Sequence, residues 1–280
     1  MDFFVSLGEF AFLRYALYAC LLCALPCAVI GSFVVVRRTT YMAGAVSHSL
    51  LAGMGGALYL RRVCHVEGIT PLGGAIVTAV AVALFVTWVT RGHRVRIDTA
   101  LSAIWAVGMA LGVSFMAATP GYSEDLMAYL FGNILMIGAG DLWIMLALNV
   151  CIGGALLIAY DRLVAVSFHP ELAALRGVRP GLYEAVFTLL TALTVALLAQ
   201  IVGVVLVIAL LTLPAAAAGF FVRRMVYMIA VAFFVTLVVT VGGLWLSYAR
   251  EWPTGATIVE LAGLVFLAGV VVSRLRRSLA

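Results

Sequence analysis

Long apolar runs separated by short polar breaks dominate the chain. Runs near 11–36, 41–60, 72–90, 99–118 and 142–160 are followed by runs near 182–199, 202–221, 226–247 and 256–272. Each approaches the roughly 20 residues that a helix needs to cross a bilayer. The pattern predicts an all-α, polytopic membrane bundle of about nine transmembrane helices, folded as a single domain over 1–280. Its weakest boundary is the apolar stretch 183–221. That stretch holds either two spans with a tight turn near Gln200 or one long broken helix, which would make eight spans. Between the fourth and fifth runs, Pro120-Gly121 precedes a segment from Glu124 to Asn133 whose apolar part is too short to span. It is expected as a surface or re-entrant helix.

The second run differs from the others. Ala43, Gly44, Ala45, Ser47, Ser49, Ala52, Gly53, Gly55 and Gly56 give it unusually small side chains. Such a helix lets neighbouring backbones approach closely, so it belongs inside the bundle rather than against lipid. His48 stands in its middle. An ionisable group at membrane depth costs a few kcal/mol, and by default it marks a pathway or binding site. Imidazole is the commonest protein ligand for zinc and also suits manganese and iron. A histidine hydrogen-bonded to a neighbouring helix would serve packing alone. Ser47 and Ser49 adjoin His48 in sequence and so point away from it, which argues against a serine–histidine hydrolase built from this pair.

Composition narrows the class. Hydrophobic residues make up 65% of the 280 and charged residues only 10%, against about 25% charged in a soluble domain. The net charge of +5 does not point to nucleic acid, because the arginines sit in short clusters between apolar runs. There is no lysine, which removes any P-loop of the G-x-x-x-x-G-K-[ST] kind and any Schiff-base chemistry. If ATP drives the protein, another chain hydrolyses it. The N-terminal residues carry Asp2 and Glu9 and lead into an apolar run too long for a cleavable signal. With nine spans and the N-terminus outside, 13 of the 17 arginines fall on the cytoplasmic side, as the positive-inside rule requires.

Cysteine usage implies no disulfide framework, since four of the five cysteines lie in apolar runs. Cys20, Cys23 and Cys27 share a helical face and are read as small packing residues. In the outer loop, His65 and Glu67, next to Cys64, are candidates for receiving metal at the mouth. Glu124 and Asp125 also face outward and suit cations or a receptor's basic side chains. His93, among Arg91, Arg94 and Arg96, is a poor cation ligand. In the cytoplasmic loop 161–181, Pro170 and Glu171 open a short helix that Arg176 and Gly177 close. Such a helix either caps the bundle or grips a soluble partner.

Several stretches, in order, resemble the permease subunit of the ABC-3 family of zinc, manganese and iron importers, a BtuC-like permease class. Val34-Val35-Val36-Arg37-Arg38 with Ser47-His48 is similar to the family's V-L-R-R…G-D-x-x-S-H signature. Leu130-Phe131-Gly132-Asn133-Ile134-Leu135 matches its L-F-G-N-I-L stretch, and Phe168-His169-Pro170-Glu171-Leu172-Ala173 with Gly177 resembles its F-D-P-E-x-A…G coupling segment. Val202-Gly203-Val204 through Leu213-Pro214-Ala215-Ala216, and Pro253-Thr254-Gly255-Ala256-Thr257-Ile258, fit two further motifs.

The resemblance implies a second permease copy or homologue, and cytoplasmic ABC ATPase subunits docked on His169, Pro170, Glu171, Arg176 and Gly177. It also implies an extracytoplasmic metal-binding receptor and a place in the bacterial cytoplasmic (inner) membrane. Nothing is bound permanently; Zn²⁺, or Mn²⁺ or Fe²⁺, is cargo. The family's second helix supplies an Asp and a His as metal ligands one turn apart. Here the His is His48, but the Asp position is Gly44, and His169 stands where the coupling segment usually has Asp. A nitrogen ligand without the carboxylate favours zinc. An intramembrane enzyme would need a nucleophile with its base, or a carboxylate pair, and none is evident. A proton- or sodium-coupled transporter would need intramembrane acids, whereas Glu184 and Glu260 lie near span ends. A permease for a metal chelate is the remaining alternative.

Overall fold

The computed structural model describes residues 3–92, 96–120, 132 and 134–278, and all regular structure among them is helical. A short helix, α1 (Phe3–Glu9), precedes α2 (Ala11–Val36), α3 (Thr40–Arg62), α4 (Pro71–Gly92) and α5 (Ile97–Ala118). After a 3-10 turn at Ile134–Met136 come α6 (Ala139–Phe168), α7 (Pro170–Leu175), α8 (Pro180–Val202), α9 (Val204–Gly219), α10 (Met225–Arg250) and α11 (Thr254–Ser278). Pro71, Pro170 and Pro180 each open a helix. The first-turn N–H that proline lacks has no intrahelical acceptor in any case.

The centre of the bundle is α2, where every residue from Pro26 to Val34 is buried. Leu206, Val207, Leu210 and Leu211 of α9 join the same core. Helices apolar on all sides belong in such a position. The outer shell is also apolar: Trp88, Leu157 and Ile158 are 72%, 88% and 84% exposed. That is tolerable only against lipid.

Contacts set the helix directions. Tyr15 and Tyr18 share a groove with Leu142 and Trp143, and Asn149 Nδ2 donates to the Leu22 carbonyl at 2.8 Å. Thus α2 and α6 run parallel. Gly44 meets Trp105, Gly108 meets Ser49, Gly55 meets Gly112, and Tyr59 meets Phe115, so α3 and α5 also rise together. Arg37, just past α2, reaches Glu184 in the first turns of α8, while Val202 at the far end of α8 lies against Gly132 ahead of α6. Hence α8 runs opposite to α2. Its successor α9 returns, since Ala215 and Ala218 cluster with Ala28.

The reversal takes a single residue, Gly203, at φ +95°, which glycine adopts without strain. A Cβ on Gly132 would collide with the Val202 carbonyl, so this turn needs glycine on both sides. The 183–221 stretch is therefore two helices and a tight turn, with the turn three residues beyond Gln200. One end of the bundle collects Arg37, Arg38, Arg96, Arg162, Arg176, Arg179, Arg223 and Arg224. The other holds Arg14, Arg61, Arg62 and Arg250.

Among the described residues, seven helices (α2, α4, α5, α6, α8, α10 and α11) are long and apolar enough to cross a membrane. Small and polar residues dilute the hydropathy of α3, and α9 has only 16 residues. A count of nine crossings depends on these two.

Two departures from expectation stand out. The loop expected from Asp161 is helical as far as Phe168. Asp161 and Arg162 are exposed while Leu163 and Val166 are buried, so α6 continues as an amphipathic extension. The unexpected α1 lies against the end of α10, where Tyr248 Oη donates to Ser6 Oγ at 2.7 Å. The expected surface helix at 124–133, with Glu124 and Asp125, falls outside the described residues except for Gly132, and His93 also lies outside them.

Candidate functional site

His48 occupies the ninth position of α3, about 12 Å along the axis from Thr40. Its imidazole is half-buried and lies flat on the indole of Trp105 in α5, with ring centroids 4.4 Å apart and planes 12° apart. The indole is itself held. Its Nε1 donates to Met109 Sδ at 3.2 Å, and the Tyr41 ring leans on it at 5.5 Å with the tyrosine hydroxyl 3.0 Å from Ser102 Oγ. Stacking engages the ring faces, whereas a nitrogen lone pair lies in the ring plane. Among the described residues neither nitrogen of His48 has a hydrogen-bond partner. Its orientation is thus fixed without using the edge that binds a cation.

Close helix packing places these rings together. A Cβ on Gly108 would sit 2.6 Å from Ser49 Cα, and one on Gly112 would sit 2.7 Å from the Leu51 carbonyl carbon. Backbones this close require glycine, and small-residue contacts of this kind replace the hydrophobic effect as the source of helix association in lipid. On the other side of α3, Gly53 meets Gly74 of α4 in the same way. Gly44 lies one turn before His48 under the same indole. A Cβ there would rest 3.5 Å from Trp105 Cζ3, an ordinary contact. The position has room for a side chain but supplies no ligand. Among the described residues no three His, Cys, Asp or Glu side chains converge on a point. Trp105 and Tyr41 were not singled out from sequence. The available signal was an indole deep within a span, away from the interface where tryptophan concentrates.

At the opposite end from Arg37, His65 and Glu67 line a depression of about 520 Å³ with Arg61, Val66, Gly68, Ile69 and Thr70. Both side chains are exposed, and His65 holds a left-handed φ of +51°. They share this depression without closing on a third ligand.

The short helix α7 has the expected build, with Pro170 at its start, Glu171 in its first turn, Arg176 at its C-cap and Gly177 at φ +79° after it. His169 is exposed and breaks the path between α6 and α7 with φ −143°. Only Ala173 of α7 is buried. Leu172 and Leu175, one turn apart on one face, are 52% and 86% exposed, with Phe168 nearby at 49%. These large apolar side chains stand exposed at the arginine-rich end. The sequence reading named His169, Pro170, Glu171, Arg176 and Gly177 in this segment; the exposed Leu172 and Leu175 adjoin them.

The same end carries a second cluster. Arg37 Nη2 pairs with Glu184 Oε1 at 3.5 Å, and its guanidinium carbon lies 4.6 Å from the centre of the Phe187 ring. Burial pulls this guanidinium below its ordinary value, and the Glu184 carboxylate pushes it back up.

A bundle with lipid-compatible outer faces, most of its arginines at one end and an imidazole at depth has the build of a polytopic membrane protein. The chain belongs to the ABC 3 transport family, whose model matches residues 9–273. It is 36% identical over 266 residues to an uncharacterized membrane protein of Synechocystis sp., covering 95% of this chain and 92% of that one. It is 30% identical over 264 residues to the manganese transport system membrane protein MntC of Halalkalibacterium halodurans, covering 94% and 88%. Among solved structures, PsaBC from Streptococcus pneumoniae in complex with Fab superposes with a TM-score of 0.83 at 28% identity, covering 95% of this chain and 94% of that one. The chain is accordingly the permease subunit of an ABC transporter, a transport component and not an enzyme.

Proposed function

We propose that this permease imports a divalent transition metal, with His48 as a ligand on the path. The observation that carries the reading is an imidazole well inside α3, held flat by Trp105, with both nitrogens unpartnered among the described residues. One imidazole is too few for a closed four-ligand site. A transport site must release its ion, however, so a sparse shell completed by water serves. If two copies of the chain face each other, their His48 side chains clamp one ion between them. The family's usual carboxylate is absent at Gly44, which leaves a nitrogen-only contribution and ranks zinc ahead of manganese and iron. The relative named for manganese transport pulls the other way. Uptake of radioactive zinc and manganese, measured in parallel in cells expressing the permease with its ATPase and receptor, decides the order. Gly44→Asp fits beside Trp105 and should shift preference toward manganese by adding a hard oxygen. A wild-type preference for manganese that Gly44→Asp leaves unchanged would overturn the ranking.

The energy source in this reading is a pair of ATPase subunits docked on α7, and a receptor delivers metal at the opposite mouth, near His65, Glu67, Glu124 and Asp125. The arginine-rich end then faces the cytoplasm, with the N-terminus outside, the C-terminus inside and α3 and α9 both crossing. Reporter fusions after Arg38, Arg96, Arg179 and Arg224 should all report cytoplasm. An outside signal after Arg38 and Arg96 would reverse the orientation.

A further inference from the structure

We propose that Arg37 and Glu184 form the link that passes movement of α7 to the helix carrying His48. This rests on the reading of α7 as the ATPase-docking element and of His48 as a ligand. The pair is the one ion pair among the described residues. It is also partly desolvated: the Arg37 side chain is 13% exposed and that of Glu184 44%. Beneath the guanidinium lies Phe187, buried and tilted against Phe33 of α2 at 5.9 Å. The grip therefore combines charge, cation–π and aromatic contact between the end of α2 and the start of α8.

The positions of the two partners give this grip a direction. Glu184 lies nine residues beyond the end of α7, inside the first turns of α8. Its neighbour Tyr183 accepts a hydrogen bond from Arg162 Nη1 of α6 at 2.8 Å. This bond joins the helices on either side of α7 at the base of the loop, and in the proposed scheme α6, α7 and α8 move there together. On the other side, Arg37 is followed only by Arg38 at φ +57° and Thr39 before α3 begins. Thr39 N and Oγ1 both bond the Val34 carbonyl, at 2.9 Å and 3.4 Å. A turn this short and this tied has no slack, so a shift of Arg37 moves the first turn of α3. His48 sits two turns further along the same helix. Arg37 Nη1 is buried and has no hydrogen-bond partner among the described residues, so the Glu184 contact and the Phe187 face hold this guanidinium. Arg37 and Glu184 are positioning residues in this scheme. Neither touches the metal or the nucleotide.

The test uses the permease assembled with its ATPase and receptor in lipid vesicles, reading metal uptake and ATP hydrolysis together. Glu184→Gln keeps the shape and removes the charge. It should leave assembly and ATP hydrolysis close to wild type and lower zinc taken up per ATP hydrolysed by about tenfold, within the usual range of coupling between sites. The swap Arg37→Glu with Glu184→Arg should recover most of that loss. Unchanged uptake per ATP in Glu184→Gln overturns the proposal, as does a fall in both readouts in proportion to assembled complex, which is what a merely structural pair would give. Arg37→Cys with Glu184→Cys, in a background carrying Cys64→Ser and Cys151→Ser, supplies the second arm. Uptake per ATP should be low before a short bismaleimide bridges the pair and return after it. No recovery on bridging overturns the link. A wild-type complex that hydrolyses ATP and takes up no metal sinks the functional reading instead.

Discussion

His48→Ala should reduce metal uptake to background while leaving expression and assembly with the ATPase intact. Loss of partners outside the first ligand shell typically costs 10–100-fold in metal affinity, so loss of a direct ligand should cost at least about that much. The substitution is also structurally mild. His48 is half-buried, donates and accepts no hydrogen bond among the described residues, and packs through one ring face on Trp105. Removing it leaves Gly108 and Gly112 in place, and these set the α3–α5 approach. Lost uptake accompanied by normal assembly therefore isolates the chemistry from the fold. Normal zinc uptake by His48→Ala would remove this residue from the path.

Leu175→Glu should detach the ATPase. Leu175 is 86% exposed on α7, so the permease alone should change in stability by no more than about 0.5 kcal/mol. If the side chain fills a pocket on a partner, burying a carboxylate there costs about 2 kcal/mol or more, roughly thirtyfold in affinity. Co-purification with the ATPase and transport should then fall together. Glu171→Arg, on the polar side of the same helix, should act in the same direction more weakly. Retention of the ATPase by Leu175→Glu would move the docking surface off the apolar face of α7.

The helices of this chain were legible because apolar runs and arginine clusters obey the bilayer. The first long run and α2 coincide residue for residue, and α7 was readable from Pro170, Glu171 and Gly177. The extension of α6 to Phe168 was missed because Asp161 and Arg162 look like the start of a loop. The buried pair Leu163 and Val166, three residues apart, carried the opposite signal. His48 was readable as a polar group in an apolar run. Its partner Trp105 was not, because 57 residues of chain and all of α4 separate them. Their register comes from glycine contacts in three dimensions that no pattern along one helix displays. The pairing of Arg37 with Glu184 was hidden for the same reason. In sequence both are charges at span ends, and only the antiparallel placement of α2 and α8 brings them together.

In the function proposed above, this permease moves a divalent transition metal through the membrane when ATP is hydrolysed by its partner. The most direct test of that function is uptake of radioactive zinc and manganese into vesicles holding the purified permease, ATPase and receptor, with and without ATP. ATP-dependent accumulation of metal that His48→Ala eliminates is the expected result. A complex that hydrolyses ATP in response to its receptor yet accumulates neither metal would contradict it.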